Sequence, residues 1–172
     1  MADSDEFDVF YRGTAARLYR YAYGLCTDAA DAQDLVQEAY ARAWQRWRRL
    51  RSYEDAEAWL RLVVSRLATD SWRRIAVRRA APASHRPPPP TSPPSEDVVL
   101  LVGALRALPL VQRRALTLHY LLDRSVADIA AETGASAGTV KSWLSRGRAA
   151  LAEVLGLPNK HATPPMGGSD AR

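Results

Sequence analysis

Ser125–Leu151 reads SVADIAAETGASAGTVKSWLSRGRAAL. Val126, Ile129 and Ala130 recur at helical spacing, so Ser125–Thr133 is predicted to form a short amphipathic helix. Gly134 ends it, because a residue without Cβ takes the positive φ of a sharp turn at little cost. Ser136 is placed to cap a second helix starting near Ala137. On that helix Val140, Leu144, Gly147, Leu151 and Leu155 share one face at about 100° per residue. Lys141, Ser142, Ser145, Arg146 and Ala149 lie roughly opposite. Two arrangements satisfy the pattern. One is a helix-turn-helix whose second helix enters a DNA major groove; the other is an αα-hairpin in a bundle, its charges turned to water.

Two further helices precede this stretch, Asp97–Ala107 and Val111–Leu121, divided at Leu108-Pro109. His119 sits alone among hydrophobic residues and reads as a histidine at the core edge. Before them, Pro82–Pro94 is PASHRPPPPTSPP, with seven prolines in thirteen residues. Helix and sheet are excluded there, and a flexible, partly polyproline II tether is expected. The chain therefore divides into an N-terminal part, 1–81, a tether, 82–97, and a C-terminal part, 98–157. A disordered tail is expected over 158–172. The fold class is all-α, two small helical domains on a Pro-rich linker.

Charge is unevenly placed. The total is +5, but residues 1–40 carry three Arg and eight acids, 41–81 eleven Arg and four acids, and 98–155 seven bases and four acids. An acidic front followed by two basic segments implies two different partner surfaces. Cys26 is the only cysteine, so an intrachain disulfide is excluded and a Cys-based zinc site is not expected. No run approaches the roughly 18 apolar residues of a membrane span, and the acidic N-terminus does not resemble a secretion signal; a cytoplasmic protein is expected. No Gly-rich phosphate loop, nucleophile–base pair or metal cluster stands out, so neither enzymatic activity nor a cofactor or metal is expected.

In the first part, residues 1–6 are expected to fray, and Phe7 to about Cys26 to form a helix with Leu18, Tyr21, Ala22 and Leu25 inward. A long helix is predicted from Ala29 to Arg49, with Leu35, Val36, Ala39, Tyr40, Ala43 and Trp47 on its apolar side. Asp34, Gln37, Glu38, Arg42 and Gln45 form the opposite side, with Glu38 and Arg42 spaced to pair. That acidic–amide ridge suits either solvent or a basic partner helix. Arg51–Glu57 is a predicted loop with Asp55 able to cap a third helix, Ala56–Val77, rich in Arg. Trp, Tyr and Arg interleaved over 44–79 have the chemistry of single-stranded nucleic-acid binding, with Trp59 assigned to the core and Arg73 and Arg74 to DNA.

Three motifs carry a resemblance: DAADAQDLVQEAYARAW at Asp28–Trp44, AWLRLVVSRLATDSWRR at Ala58–Arg74, and the Asp-Ile-Ala, Gly-Thr-Val-Lys-Ser and Leu-Ser-Arg-Gly-Arg wording of the final helices. Over residues 7–155 the chain resembles an extracytoplasmic-function (ECF) sigma factor. The resemblance implies that Asp34, Gln37, Glu38 and Arg42 contact RNA polymerase core, at the β′ clamp, with the β subunit also engaged. It implies that Arg51, Ser52, Tyr53, Arg61, Arg66, Arg73 and Arg74 serve the −10 element, the Arg51–Glu57 loop capturing a flipped base. Ser136, Thr139, Lys141, Ser142, Ser145, Arg146 and Arg148 would serve the −35 element. An anti-sigma protein is the further partner implied. Arg66 stands where the family usually has Asn, and Trp143 where many members have Arg, so base readout is expected to differ, with Trp143 packing or touching a sugar–phosphate edge. A stand-alone operator-binding regulator would share the helix-turn-helix but leave Asp28–Trp44 without a role. A sigma-like decoy would not need the basic residues around Arg73–Arg74 and Lys141–Arg148.

Overall fold

The computed structural model describes the backbone of residues 2–78 and 96–157, and the side chains of 3–70 and 100–157. Most of the expected tether and all of the expected tail lie outside the described residues. Among the described residues every regular element is an α-helix: α1 (Ala2–Cys26), α2 (Ala29–Gln45), α3 (Trp47–Leu50), α4 (Ala56–Arg78), α5 (Glu96–Arg106), α6 (Leu110–Leu121), α7 (Val126–Thr133) and α8 (Ala137–Val154).

Helix α1 is already wound at Ala2, where fraying was expected. Asp3 and Asp5 lie in its first turn, where negative charge favours the helix dipole. Asp3 also pairs with Arg48 and Arg51, and Glu6 with Arg51, at 3.0–3.2 Å. Asp28 caps α2, its carboxylate accepting from the Asp31 amide at 2.9 Å. The long helix predicted to Arg49 instead breaks at Arg46, whose N–H turns back to Ala43. Beyond the break Trp47 sets its ring 5.1 Å from those of both Phe7 and Phe10. Tyr40 adds edge-on contacts to the same cluster and shares a 2.7 Å hydrogen bond with Thr14. Asp55 caps α4 through the Ala58 amide at 2.7 Å.

In the second half α5 starts at Glu96, so the last two residues assigned to the tether are helical. Ser125 and Asp128 form a reciprocal capping box at α7. Gly134 takes φ 72° and donates to Ala130, and Ser136 caps α8 by accepting from the Thr139 amide at 3.1 Å. Val140, Leu144 and Gly147 are buried as the periodicity predicts. Gly147 lets α8 close on α6, since a Cβ there would stand 2.8 Å from Leu116. Leu155, predicted to face inward, is exposed at the C-cap of α8, beyond its last helical residue.

The two helical halves are not separate bodies here. Leu18, Tyr21 and Leu25 of α1 belong to one buried cluster with Leu105, Leu108, Leu116 and Leu118 of the second half. Helix α6 lies against α1, and α7 reaches α4 through its Glu132.

Candidate nucleic-acid and polymerase interfaces

The outer side of α8 has the layout of a DNA-reading helix. Lys141, Ser145 and Arg146 are exposed opposite the buried Val140, Leu144 and Gly147. Ser136 and Thr139 are exposed at its N-terminus, their hydroxyls 2.9 Å apart within the cap. Ser142 is half-buried. Trp143 is also half-buried and packs against the core cluster. Arg148 departs from the group. Its guanidinium donates to the Tyr120 hydroxyl of α6 at 3.2 Å, drawn to the helix behind rather than forward with Lys141. It borders an apolar groove with Leu101, Leu151 and Leu157.

On α2, Gln37, Glu38 and Arg42 are exposed and Asp34 is half-buried. Arg42 Nε donates to Glu38 at 2.7 Å, the pair expected from i,i+4 spacing. Exposed pairs of this kind hold little energy, so both side chains remain available to a partner.

The residues assigned to −10 DNA are divided by the structure. Arg66 is exposed on α4. Arg51, Ser52 and Tyr53 are exposed in the loop, with Arg51 held by Asp3 and Glu6 and the Ser52 hydroxyl donating to Arg49. The side chains of Arg73 and Arg74 lie outside the described residues. Arg61 corrects the sequence reading: it is 3% exposed and faces carboxylates, not solvent. Its guanidinium donates to both oxygens of Glu132 at 3.0–3.1 Å and lies 3.5 Å from Asp55 and 3.4 Å from Glu57. Burial alone would lower its pKa, but Glu132, Asp55 and Glu57 together raise it, so Arg61 stays charged.

Beside the loop is an open pocket of about 780 Å³ walled by Trp44, Arg46, Arg49, Tyr53 and Trp59. Trp59, assigned to the core, contributes to this wall. Flat rings beside guanidinium groups are suited to an unstacked base and its phosphate. Trp44, Arg46 and Arg49 were not singled out individually by sequence; the interleaving of Trp and Arg over 44–79 was their signal. Among the described residues no group of three His, Cys, Asp or Glu could hold a metal ion, and no helix is long and apolar enough to cross a membrane.

Comparison with known proteins places the chain in a family. The sigma-70 region 2 model matches residues 10–78, and the sigma-70 region 4 model matches residues 99–151. The RNA polymerase sigma-E factor of Streptomyces coelicolor is 36% identical over 158 residues, spanning 90% of this chain and 89% of that protein. The ECF RNA polymerase sigma factor SigM of Mycobacterium tuberculosis is 31% identical over 158 residues, spanning 91% and 81%. The chain belongs to the ECF family of RNA polymerase sigma factors. Among solved structures, the sigma factor is similar to RpoE of Bartonella quintana, crystallised in complex with the anti-sigma factor NepR. The TM-score is 0.68 and the identity 26%, over 87% of this chain and 98% of that one. As a sigma factor it directs RNA polymerase to promoters, and the match to region 4 covers the helix-turn-helix of α7 and α8.

Proposed function

We propose that this sigma factor divides its work as follows. Residues 1–81 dock on core polymerase and open the −10 element. Residues 98–157 read the −35 element. The α2 ridge of Asp34, Gln37, Glu38 and Arg42 meets the β′ clamp. Arg51, Ser52, Tyr53 and Arg66 serve the −10 strand with the adjoining aromatic pocket. Lys141, Ser145 and Arg146 reach −35 base edges and phosphates, with Ser136, Thr139 and Ser142 at the margin.

The observation that carries this reading is the outer face of α8. Its polar, basic residues are exposed at its N-terminal end, beside a glycine turn, while the opposite residues are buried. Each DNA contact is weak by itself, and two contacts riding on one polymerase gain affinity through tethering. The chemical step belongs to the polymerase, so the chain is a non-catalytic, cytoplasmic subunit. An anti-sigma protein is its regulatory partner, as the similarity to a sigma factor solved with NepR supports.

The experiment is a pull-down of the purified chain with bacterial core RNA polymerase, followed by run-off transcription on fragmented genomic DNA. Core binding with discrete new start sites is the expected result. Duplex binding without core affinity would replace this reading with that of a stand-alone regulator.

A further inference from the structure

The open pocket beside the −10 loop has an acidic edge. Asp3, in the first turn of α1, is one of its lining residues. Its Oδ2 accepts from Arg48 Nε at 3.2 Å, and its Oδ1 from a terminal nitrogen of Arg51 at 3.0 Å. The same Arg51 nitrogen donates to Glu6 at 3.0 Å. Asp3 and Glu6 are three residues apart and so share one face of the helix. Phe7 pins this turn to the pocket wall, its ring 5.1 Å from those of both Trp44 and Trp47. Residues 2–9 lie ahead of the stretch matched by the region 2 model.

Arg48 and Arg51 stand beside rings that suit an unstacked base, where a guanidinium ordinarily takes the phosphate. Each already faces a carboxylate. The pairs are partly exposed, so a phosphate can displace them, and each resists by a modest amount. The carboxylates left behind then oppose the incoming phosphates as like charges. Two cations and two anions sum to zero, so this group of side chains neutralises no phosphate as it stands.

We propose that the first turn of α1 is an autoinhibitory contact: Asp3 and Glu6 compete with DNA phosphate for Arg48 and Arg51. The pocket stays open, and what the turn removes from it is positive charge. A polyanion without bases gains little there, while a single strand still has the rings of Trp44, Tyr53 and Trp59 to stack on. The inference rests on the −10 assignment above and names the residues that set the strength of that site.

Asp3→Asn/Glu6→Gln tests it, keeping side-chain size and removing both negative charges. Asp5→Asn/Asp8→Asn is the control: it makes the same change of net charge at the same end of α1, at exposed positions that do not pair with Arg48 or Arg51. Fluorescence anisotropy of the full chain reads binding of a short labelled single-stranded DNA of mixed sequence at several salt concentrations. Asp3→Asn/Glu6→Gln is expected to tighten strand binding about fivefold at low salt, the combined effect of three exposed pairs. The logarithmic salt dependence should steepen by about 1.4, two phosphates at roughly 0.7 each. The control should change affinity less than about twofold. In an Arg48→Ala/Arg51→Ala background the same two substitutions should gain no more than the control does. Unchanged or weaker binding by Asp3→Asn/Glu6→Gln would overturn the proposal. Equal tightening by the control would also overturn it, by assigning the effect to net charge. Failure of the −10 assignment has a different signature: Tyr53→Ala/Arg66→Ala would leave strand affinity unchanged in the otherwise wild-type chain, and the proposal would fall with it.

Discussion

The guanidinium of Arg113 donates to the carbonyl oxygen of Leu25 at 2.5 Å, joining α6 to the end of α1 across 88 residues of sequence. Arg113 is fully buried, and its other terminal nitrogen donates to the Arg106 and Leu108 carbonyls, each at 3.0 Å. Desolvation pulls its pKa down from the ordinary arginine value. The side chain is a bracket for two carbonyls at the turn between α5 and α6 and one at the end of α1.

Replacing Arg113 by Met would fill similar space and leave those carbonyls without their donor. The expected cost is about 2–4 kcal/mol, since each unsatisfied buried polar group costs roughly 1–3 kcal/mol. Urea unfolding measures it; a midpoint unchanged from wild type would show that water replaces the guanidinium freely.

Alkaline stability follows from buried acids, Tyr19 and Tyr21 being shifted upward by burial in the same direction as Cys26 and Tyr40. Burial pushes the Cys26 thiol and the Tyr40 hydroxyl each up to about 12, above ordinary values of 9.0 and 10.0. The unfolded chain releases these protons first, so rising pH favours unfolding. Stability contributed by the two groups is complete below pH 9 and declines progressively toward pH 12. Urea midpoints taken across that range should fall with pH, and Cys26→Ser with Tyr40→Phe should flatten the decline. A decline of equal slope in the double variant would assign it to other groups.

The −10 assignment makes a prediction at Arg66, which is exposed and stands where the family usually has Asn. Arg66→Ala should weaken binding of polymerase holoenzyme to single-stranded −10 DNA and reduce the salt slope of that binding by about 1. Filter binding at several salt concentrations gives both values. Reduced affinity with an unchanged slope would point to base contact rather than phosphate contact.

At the opposite end of the first half, Asp34→Arg/Glu38→Arg should lower affinity for core polymerase at least about tenfold, the effect of like charges placed across a complementary interface. Competition against another sigma factor for limiting core measures it. An unchanged competition curve would remove α2 from the docking surface.

Much of this was legible in the sequence. The helices over 56–78, 126–133 and 137–154 follow from apolar spacing, and the starts of the first and last from Asp55 and Ser136, because these are local signals; the capping role of Ser125, read as the first helical residue, was not among them. The break at Arg46 was not legible, since the spacing of Ala43, Trp47 and Leu50 continues smoothly through it while the ring packing of Trp47 depends on Phe7 and Phe10 far upstream. Arg61 read as a DNA contact on a basic helix, and nothing in the sequence singled out Arg113; their burial is decided by Glu132 and by the Leu25 carbonyl, 71 and 88 residues away. The contact of Gly24 with Thr117 likewise leaves no periodic trace.

The central claim, that α8 reads the −35 element while α2 holds the polymerase, is tested most directly by Lys141→Ala/Arg146→Ala. The measurement is run-off transcription by reconstituted holoenzyme on one promoter with its −35 element intact or scrambled, beside a core-binding assay of the same protein. The account predicts normal core affinity and an activity on the intact promoter reduced to that of wild type on the scrambled one. Loss of core binding, or full activity on the intact promoter, would contradict it.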